Sequence, residues 1–182
     1  LSAHKGWSTM PWEARAAIFL KASELLKGEY RAKINASTMI NQSKTCHQAE
    51  IDSACELIDF WRFNAQYARE IYEDLQPPVS PSSMWNSSEI RPLEGFVFSV
   101  TPFNFSSIAA NLPSSAAIMG NTGVWKPSRN SYLSNYYLMR LKMDAGLPDG
   151  VIKFIHVKFN KVGDICFSHP KLAGIHFTGS TS

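Results

Sequence analysis

Phe96-Val97-Phe98-Ser99-Val100 runs directly into Thr101-Pro102-Phe103-Asn104-Phe105. A short apolar run closed by a proline turn reads as a buried strand followed by a loop. The pattern recurs at 122–125, before Lys126-Pro127-Ser128, at 151–155, and at 173–177, before Thr178-Gly179-Ser180-Thr181-Ser182. Helical periodicity fills the gaps at 106–117, 131–145 and 161–167. Strands alternating with helices at this spacing predict an α/β fold, a parallel sheet with helices on both faces.

Upstream the pattern changes. Gln76-Pro77-Pro78-Val79-Ser80-Pro81-Ser82-Ser83 forbids both helix and central strand, because three prolines withdraw backbone donors within eight residues. It separates a helical segment, residues 1–75, from the sheet region, residues 92–182, and with residues 84–91 as one arm of a hairpin it forms a linker over 76–91. Within the helical segment, Thr9 and Pro11 mark a start. Ala14, Ile18, Ala22 and Leu25 then form an apolar stripe that ends at Gly28. A second helix is predicted over 29–40. A third runs over 47–75 with a stripe through Ile51, Cys55, Ile58, Ala65, Ala68, Tyr72 and Leu75, interrupted by Arg62. At 1.5 Å per residue it is roughly 43 Å long. Asp59 with Arg62 and Arg69 with Glu73 are spaced for solvent-side ion pairs.

Composition excludes several functions. With 182 residues and 45% apolar content the chain builds one ordinary domain, or one domain plus a helical appendage. Its net charge is +3 and no run of five basic residues occurs, which argues against nucleic acid or a membrane surface as partner. No apolar run is long enough to cross a bilayer. Three cysteines, Cys46, Cys55 and Cys166, give no disulfide framework and point to a reducing compartment. The chain opens on Leu1 and its first methionine is Met10, so residue 1 is not expected to be a natural start. No metal motif, Walker loop or G-x-G-x-x-G is present, and the glycosylation sequons at Asn35, Asn41, Asn86 and Asn104 are discounted for lack of any sign of secretion.

Three loops are left to carry chemistry. Each follows a predicted strand, where parallel sheets place their ligands. Asn104 can aim its amide at a developing oxyanion, or it can simply cap a helix. Lys126 can reach a ribose hydroxyl or a phosphate, or lie as an ordinary exposed lysine. Gly179 and Ser180 open a helix-like turn whose N–H groups attract a pyrophosphate, or form a plain strand-to-helix connection. Cys46 beside His47, Cys55 on the packing stripe and Cys166 at a helix end all read as structural thiols.

Together the segments resemble the aldehyde dehydrogenase superfamily and, within it, the Δ1-pyrroline-5-carboxylate dehydrogenases. Gln48-Ala49-Glu50-Ile51-Asp52, Glu56-Leu57-Ile58-Asp59-Phe60-Trp61-Arg62-Phe63-Asn64, Arg91-Pro92-Leu93-Glu94-Gly95-Phe96 and Ala145-Gly146-Leu147-Pro148 carry the likeness, which covers essentially the whole chain. The resemblance implies a Rossmann-like NAD-binding domain preceded by helices. It also implies NAD as cofactor and a small aldehyde, glutamate γ-semialdehyde, as substrate. That aldehyde would be oxidised to glutamate through a thiohemiacetal, hydride transfer and thioester hydrolysis. Asn104 matches the oxyanion stabiliser. Thr101 matches a position lining the cofactor, Lys126 with Ser128 the adenosine-ribose segment, and Gly179, Ser180, Thr181 and Ser182 the pyrophosphate turn. The family's nucleophilic cysteine and general-base glutamate come later than Ser182, so these residues alone are expected to be inactive. Their alternative role is a non-catalytic piece acting through intact subunits. A mitochondrial matrix location and a homo-oligomeric full-length form also follow from the resemblance. Three departures stand out. Arg129 replaces an acidic residue, which weakens NAD binding or favours a 2′-phosphate. Phe159 replaces a glycine near the adenosine, and Ser114 and Ala116 replace a glycine and a proline.

Overall fold

In the computed structural model, which describes residues 2–180, the four apolar runs form one parallel sheet. Its strands are β1 (Phe96–Val100), β2 (Thr122–Lys126), β3 (Ile152–Phe154) and β4 (Leu172–Phe177), in the order β3-β2-β1-β4. The chain steps outward from β1 to β3 and then returns to the other side of β1. Strand order therefore reverses between β1 and β4, the place where open parallel sheets form a ligand crevice. Val100 lies in register with both Lys126 and Phe177, so the three neighbouring strands end level.

Alternation along the strands divides the core. Phe96 and Phe98 pack on one face with Val162 and Cys166 of a helix, α8 (Phe159–Phe167). Phe98 meets Phe167 edge-on at 5.9 Å. Trp125 and Ile152 face the other way, toward α6 (Ser106–Ile118) and α7 (Tyr132–Asp144). Behind these lies the helical segment: α1 (His4–Ser8), α2 (Trp12–Lys27), α3 (Arg31–Gln42), α4 (Cys46–Ala49) and α5 (Glu56–Arg69). Their apolar faces merge with α6 and α7 into one cluster that includes Phe19, Leu26, Ile34, Leu57 and Trp61. None of the described helices is long and apolar enough to cross a membrane.

The structure corrects the helical stripes. In α2 the buried face is Arg15, Phe19, Ala22 and Leu26, whereas Ala14 is exposed and Ile18 and Leu25 flank the core. A charged residue lies at the centre of that face because every acceptor it needs is present. The Arg15 guanidinium donates to Ile118 O at 2.9 Å, to Met10 O and to the Tyr72 hydroxyl at 2.9 Å. It thereby satisfies a carbonyl of the last turn of α6, which has no helical partner.

The long helix over 46–74 is continuous, but two stretches, Glu50–Cys55 and Glu70–Asp74, are wound as π-helix. Each such turn holds an extra residue, so a period read straight through loses phase. The buried line passes through Ser53, Ala54, Leu57, Ile58, Trp61, Ala65 and Ala68, leaving Ile51 and Leu75 exposed. Ser53 bonds back to Ala49 O within the first π stretch. Arg62 pairs with Glu24 of α2 rather than with Asp59, while Arg69 and Glu73 pair at 3.3 Å as their spacing predicts.

Residues 84–91 show no strand, so the hairpin arm expected there has no ladder partner among the described residues. The segment folds back by side chains instead. Gln76 Oε1 accepts from Ser88 N at 2.8 Å, and Ser80 Oγ accepts from Asn86 N at 2.8 Å.

Candidate dinucleotide site

Each of the three loops named from sequence leaves the carboxyl end of a strand at the same edge of the sheet. After β1 the backbone stays paired for one residue, Thr101 N donating to Lys126 O at 3.2 Å, before Pro102 turns it away. After β4, Thr178 N donates to Val100 O at 3.1 Å. The loops beginning at Thr101 and Thr178 thus flank the reversal point. Between them opens a cleft of about 330 Å³ lined by Asn104, Phe105, Ile108, Gly179 and Ser180, among others. Asn104 is exposed there, and its side-chain amide makes no hydrogen bond among the described residues. A Cβ at Gly179 would lie 2.8 Å from the tip of the half-exposed Phe177 ring, which would have to turn aside. Thr181 and Ser182 fall outside the described residues.

A larger neighbouring cleft, about 550 Å³, opens beyond β2 and β3. Lys126, Arg129, His156, Lys158 and Phe159 line it. Lys126 is half-buried with no carboxylate beside it, and burial alone pushes its amine below the ordinary lysine value. Its nearest recorded partner is the Phe159 ring, whose centroid is 5.8 Å from Nζ. Phe159 lines this cleft, which stays open beside it. Two clefts in line at one sheet edge, each within the usual range of about 300–1,000 Å³, suit an elongated ligand.

Not every residue named from sequence reaches these clefts. Thr101 is only 3% exposed, with Oγ1 accepting from the Trp125 indole at 2.9 Å, so its side chain fastens β1 to β2 from beneath. Ser128 is half-buried, and its carbonyl accepts from Ser131 N at 3.2 Å to start the turn into α7. Asn104, Gly179 and Ser180 line one cleft and Lys126 lines its neighbour, while Thr101 and Ser128 lie behind the loops. No sulfur joins either cleft. Cys46 is exposed on α4, Cys55 bonds to Glu50, and Cys166 is on the buried face of α8 at the opposite end of the strands. Burial, the larger effect, and the Glu50 carboxylate both raise the Cys55 thiol above its ordinary value, against nucleophilic use.

Two supporting lysines escaped the sequence reading. Lys44 reaches across from the turn before α4, bonds to the Asp52 carboxylate and to Asn104 O, and lies 4.3 Å from the Phe105 ring centroid. One signal was legible: Thr45 and Gln48 have capping-box spacing, the box forms, and it fixes the residue just before it. Lys142 of α7 is fully buried, donating to Ala110 O at 3.0 Å and lying 4.3 Å from the Trp125 ring centroid. No pattern announces it. Lys44→Met is expected to accelerate amide exchange across residues 101–105 by about tenfold, on the scale of one lost charge-assisted hydrogen bond. Hydrogen-exchange mass spectrometry checks this, and unchanged protection would remove Lys44 from the loop's support.

Sequence comparison agrees with this geometry. The model of the "Aldehyde dehydrogenase family" matches residues 1–182, the entire chain. The chain belongs to the aldehyde dehydrogenase family. It is 48% identical over 182 residues to a probable delta-1-pyrroline-5-carboxylate dehydrogenase of Schizosaccharomyces pombe, covering all of this chain and 33% of that protein. The human mitochondrial delta-1-pyrroline-5-carboxylate dehydrogenase is 48% identical over 180 residues, 99% of this chain and 32% of its own length. Among solved structures, the Mycobacterium tuberculosis delta-pyrroline-5-carboxylate dehydrogenase bound with NAD superposes with a TM-score of 0.96 at 53% identity. That match covers 99% of this chain and 33% of the mycobacterial one. The chain spans about a third of the length of these aldehyde dehydrogenase relatives. The parallel sheet with flanking helices is the family's Rossmann-like fold.

Proposed function

We propose that these residues form the NAD-holding part of a Δ1-pyrroline-5-carboxylate dehydrogenase subunit, which oxidises L-glutamate γ-semialdehyde to glutamate in proline breakdown. The observation that carries the reading is the level ending of β1, β2 and β4, which gathers Asn104, Lys126 and the Gly179–Ser180 turn along one edge. The donors present suit a dinucleotide. Lys126, half desolvated and without a carboxylate, donates to ribose hydroxyls. In this reading the 179–180 turn meets the pyrophosphate, as the family resemblance implies, and the Asn104 amide is free to donate to an oxyanion. When bound, NAD supplies the hydride acceptor. None of the three thiols lies in either cleft, so we assign these 182 residues binding and no turnover by themselves.

A mitochondrial matrix location is proposed from relatives whose names carry "mitochondrial", and a homo-oligomeric state for the full-length form. Half-exposed Ile175 and Phe177 on β4 favour a second reading, a non-catalytic piece acting through intact subunits that would cover this face. Co-purification of the chain with a full-length relative would support it.

Calorimetric titration with 5′-AMP tests the principal reading. Lys126→Met is expected to weaken binding about tenfold, the loss of one charge-assisted hydrogen bond to ribose. Equal affinity in the two proteins would overturn the assignment of the cleft. NADH formation from glutamate γ-semialdehyde by the chain alone would overturn the assignment of binding without turnover.

A further inference from the structure

We infer that Gln42 is a positioning residue for carbonyl addition: it fixes the first turn of α6, and through it the loop that presents Asn104. The inference rests on the reading of Asn104 as the oxyanion donor. Such a donor has to be held before the reaction, because one that reorients during it gives up part of its stabilisation. The loop from Thr101 to Phe105 lacks the usual local means of being held. α6 begins at Ser106 without a side-chain cap from Phe105, and the Asn104 side chain makes no hydrogen bond among the described residues.

Three contacts from other elements hold it instead, on alternate residues. Pro102 O accepts from Ser131 Oγ at 3.2 Å, Asn104 O accepts from Lys44 Nζ, and Ser106 Oγ accepts from Gln42 Nε2 at 2.7 Å. The Gln42 contact is the one that continues into the core. Ser106 Oγ donates on to Ser134 Oγ at 2.9 Å, and Ser134 Oγ donates to Ser131 O at 3.1 Å. A carbonyl only accepts, so both hydroxyl hydrogens are committed in that direction. Ser106 is left with lone pairs alone, and position 42 must bring a donor. Gln42 does so through Nε2, since its Oε1 is buried with no partner among the described residues. Thr38 Oγ1, 3.4 Å from Ser106 Oγ, is the longer and weaker alternative. Ser106, Ser131 and Ser134 are fully buried, so bulk water cannot take the place of a missing donor. Because Ser131 also holds Pro102 O, this single chain of hydrogen bonds ties down both ends of the loop.

Steady-state kinetics on the full-length dehydrogenase subunit carrying these residues tests the inference. Asn104→Ala reports on the oxyanion reading by itself and is expected to lower kcat by about a hundredfold. Gln42→Met keeps the side-chain length and removes the donor. It is expected to lower kcat about tenfold and leave the KM for the aldehyde within about twofold, because oxyanion stabilisation is realised only in the transition state. Ser106→Ala removes the other partner and should give a similar loss, so the test stands even where Gln42→Met does not fold. In the Ser106→Ala background Gln42→Met should cost little more, since both cut the same link. An unchanged kcat in either single variant, a loss confined to a raised KM, or a tenfold loss that persists in the Ser106→Ala background overturns the inference and leaves the role of Asn104 standing. An unchanged kcat in Asn104→Ala overturns the oxyanion reading and the inference with it. Absence of turnover in the parent subunit overturns the proposed function and the inference together.

Discussion

Gly95→Ala is expected to lower the unfolding free energy by about 4 kcal/mol, combining backbone strain with steric overlap. Gly95 holds φ at +137°, a conformation that side chains rarely adopt. A Cβ there would stand 2.2 Å from Lys171 O, the carbonyl to which Phe96 N donates at 2.9 Å. Neither partner can yield cheaply, since both are backbone at the start of the β1–β4 pairing. The damage should be functional as well as thermodynamic, because β1 and β4 carry the loops on either side of the reversal point. Urea unfolding of the parent and variant proteins measures it. A loss below about 1 kcal/mol would mean that the strand start relaxes around the new methyl.

Lys142→Met is expected to stabilise the fold by about 2 kcal/mol at neutral pH, within the range seen when buried charges give way to apolar residues of similar volume. Lys142 is fully buried, with one carbonyl and the Trp125 ring as its partners and no carboxylate. Desolvation holds its amine well below the ordinary lysine value. The unfolded chain therefore binds more protons than the folded one from the ordinary lysine pKa down to the depressed one. Across that window stability rises with pH and is lost as pH falls. The stabilisation by methionine should accordingly be full below the folded pKa and shrink as pH climbs from there to the ordinary lysine value, above which it is gone. Urea midpoints of the two proteins at neutral and alkaline pH give the test. A constant gap would show that Lys142 does not titrate differently in the folded state. Since Trp125 also donates to Thr101, the variant reports whether this lysine steadies the ends of β1 and β2.

Strand positions were legible because short apolar runs closed by turn residues alternate with helical periods. Residues 96–100 were read without error, and 122–125, 151–155 and 173–177 shifted by a residue or two. Helical phase was less legible. The stripe read through Ile51 and Cys55 failed because π turns insert residues that no 3.6-residue period contains. The stripe through Ala14 failed because the buried face centres on Arg15, whose three acceptors come from Met10, Tyr72 and Ile118, remote in sequence or outside the helix. At the candidate site, Asn104, Lys126, Gly179 and Ser180 are named from their places after strands, and they line two neighbouring clefts. Thr101 looked equivalent to them in sequence, and only the indole of Trp125 shows that its side chain points beneath the sheet edge.

The sequence by itself determined the parallel alternation, the family resemblance and the three loops, since each is written in contiguous residues whose local chemistry leaves few alternatives. It did not determine the strand order that turns back beside β1, the level ending of three strands, or the meeting of Lys44 with Asn104 and of Lys142 with Trp125. Those depend on contacts between residues far apart in the chain. Their free energy comes from burial and desolvation, which exist only once the helices close over the sheet.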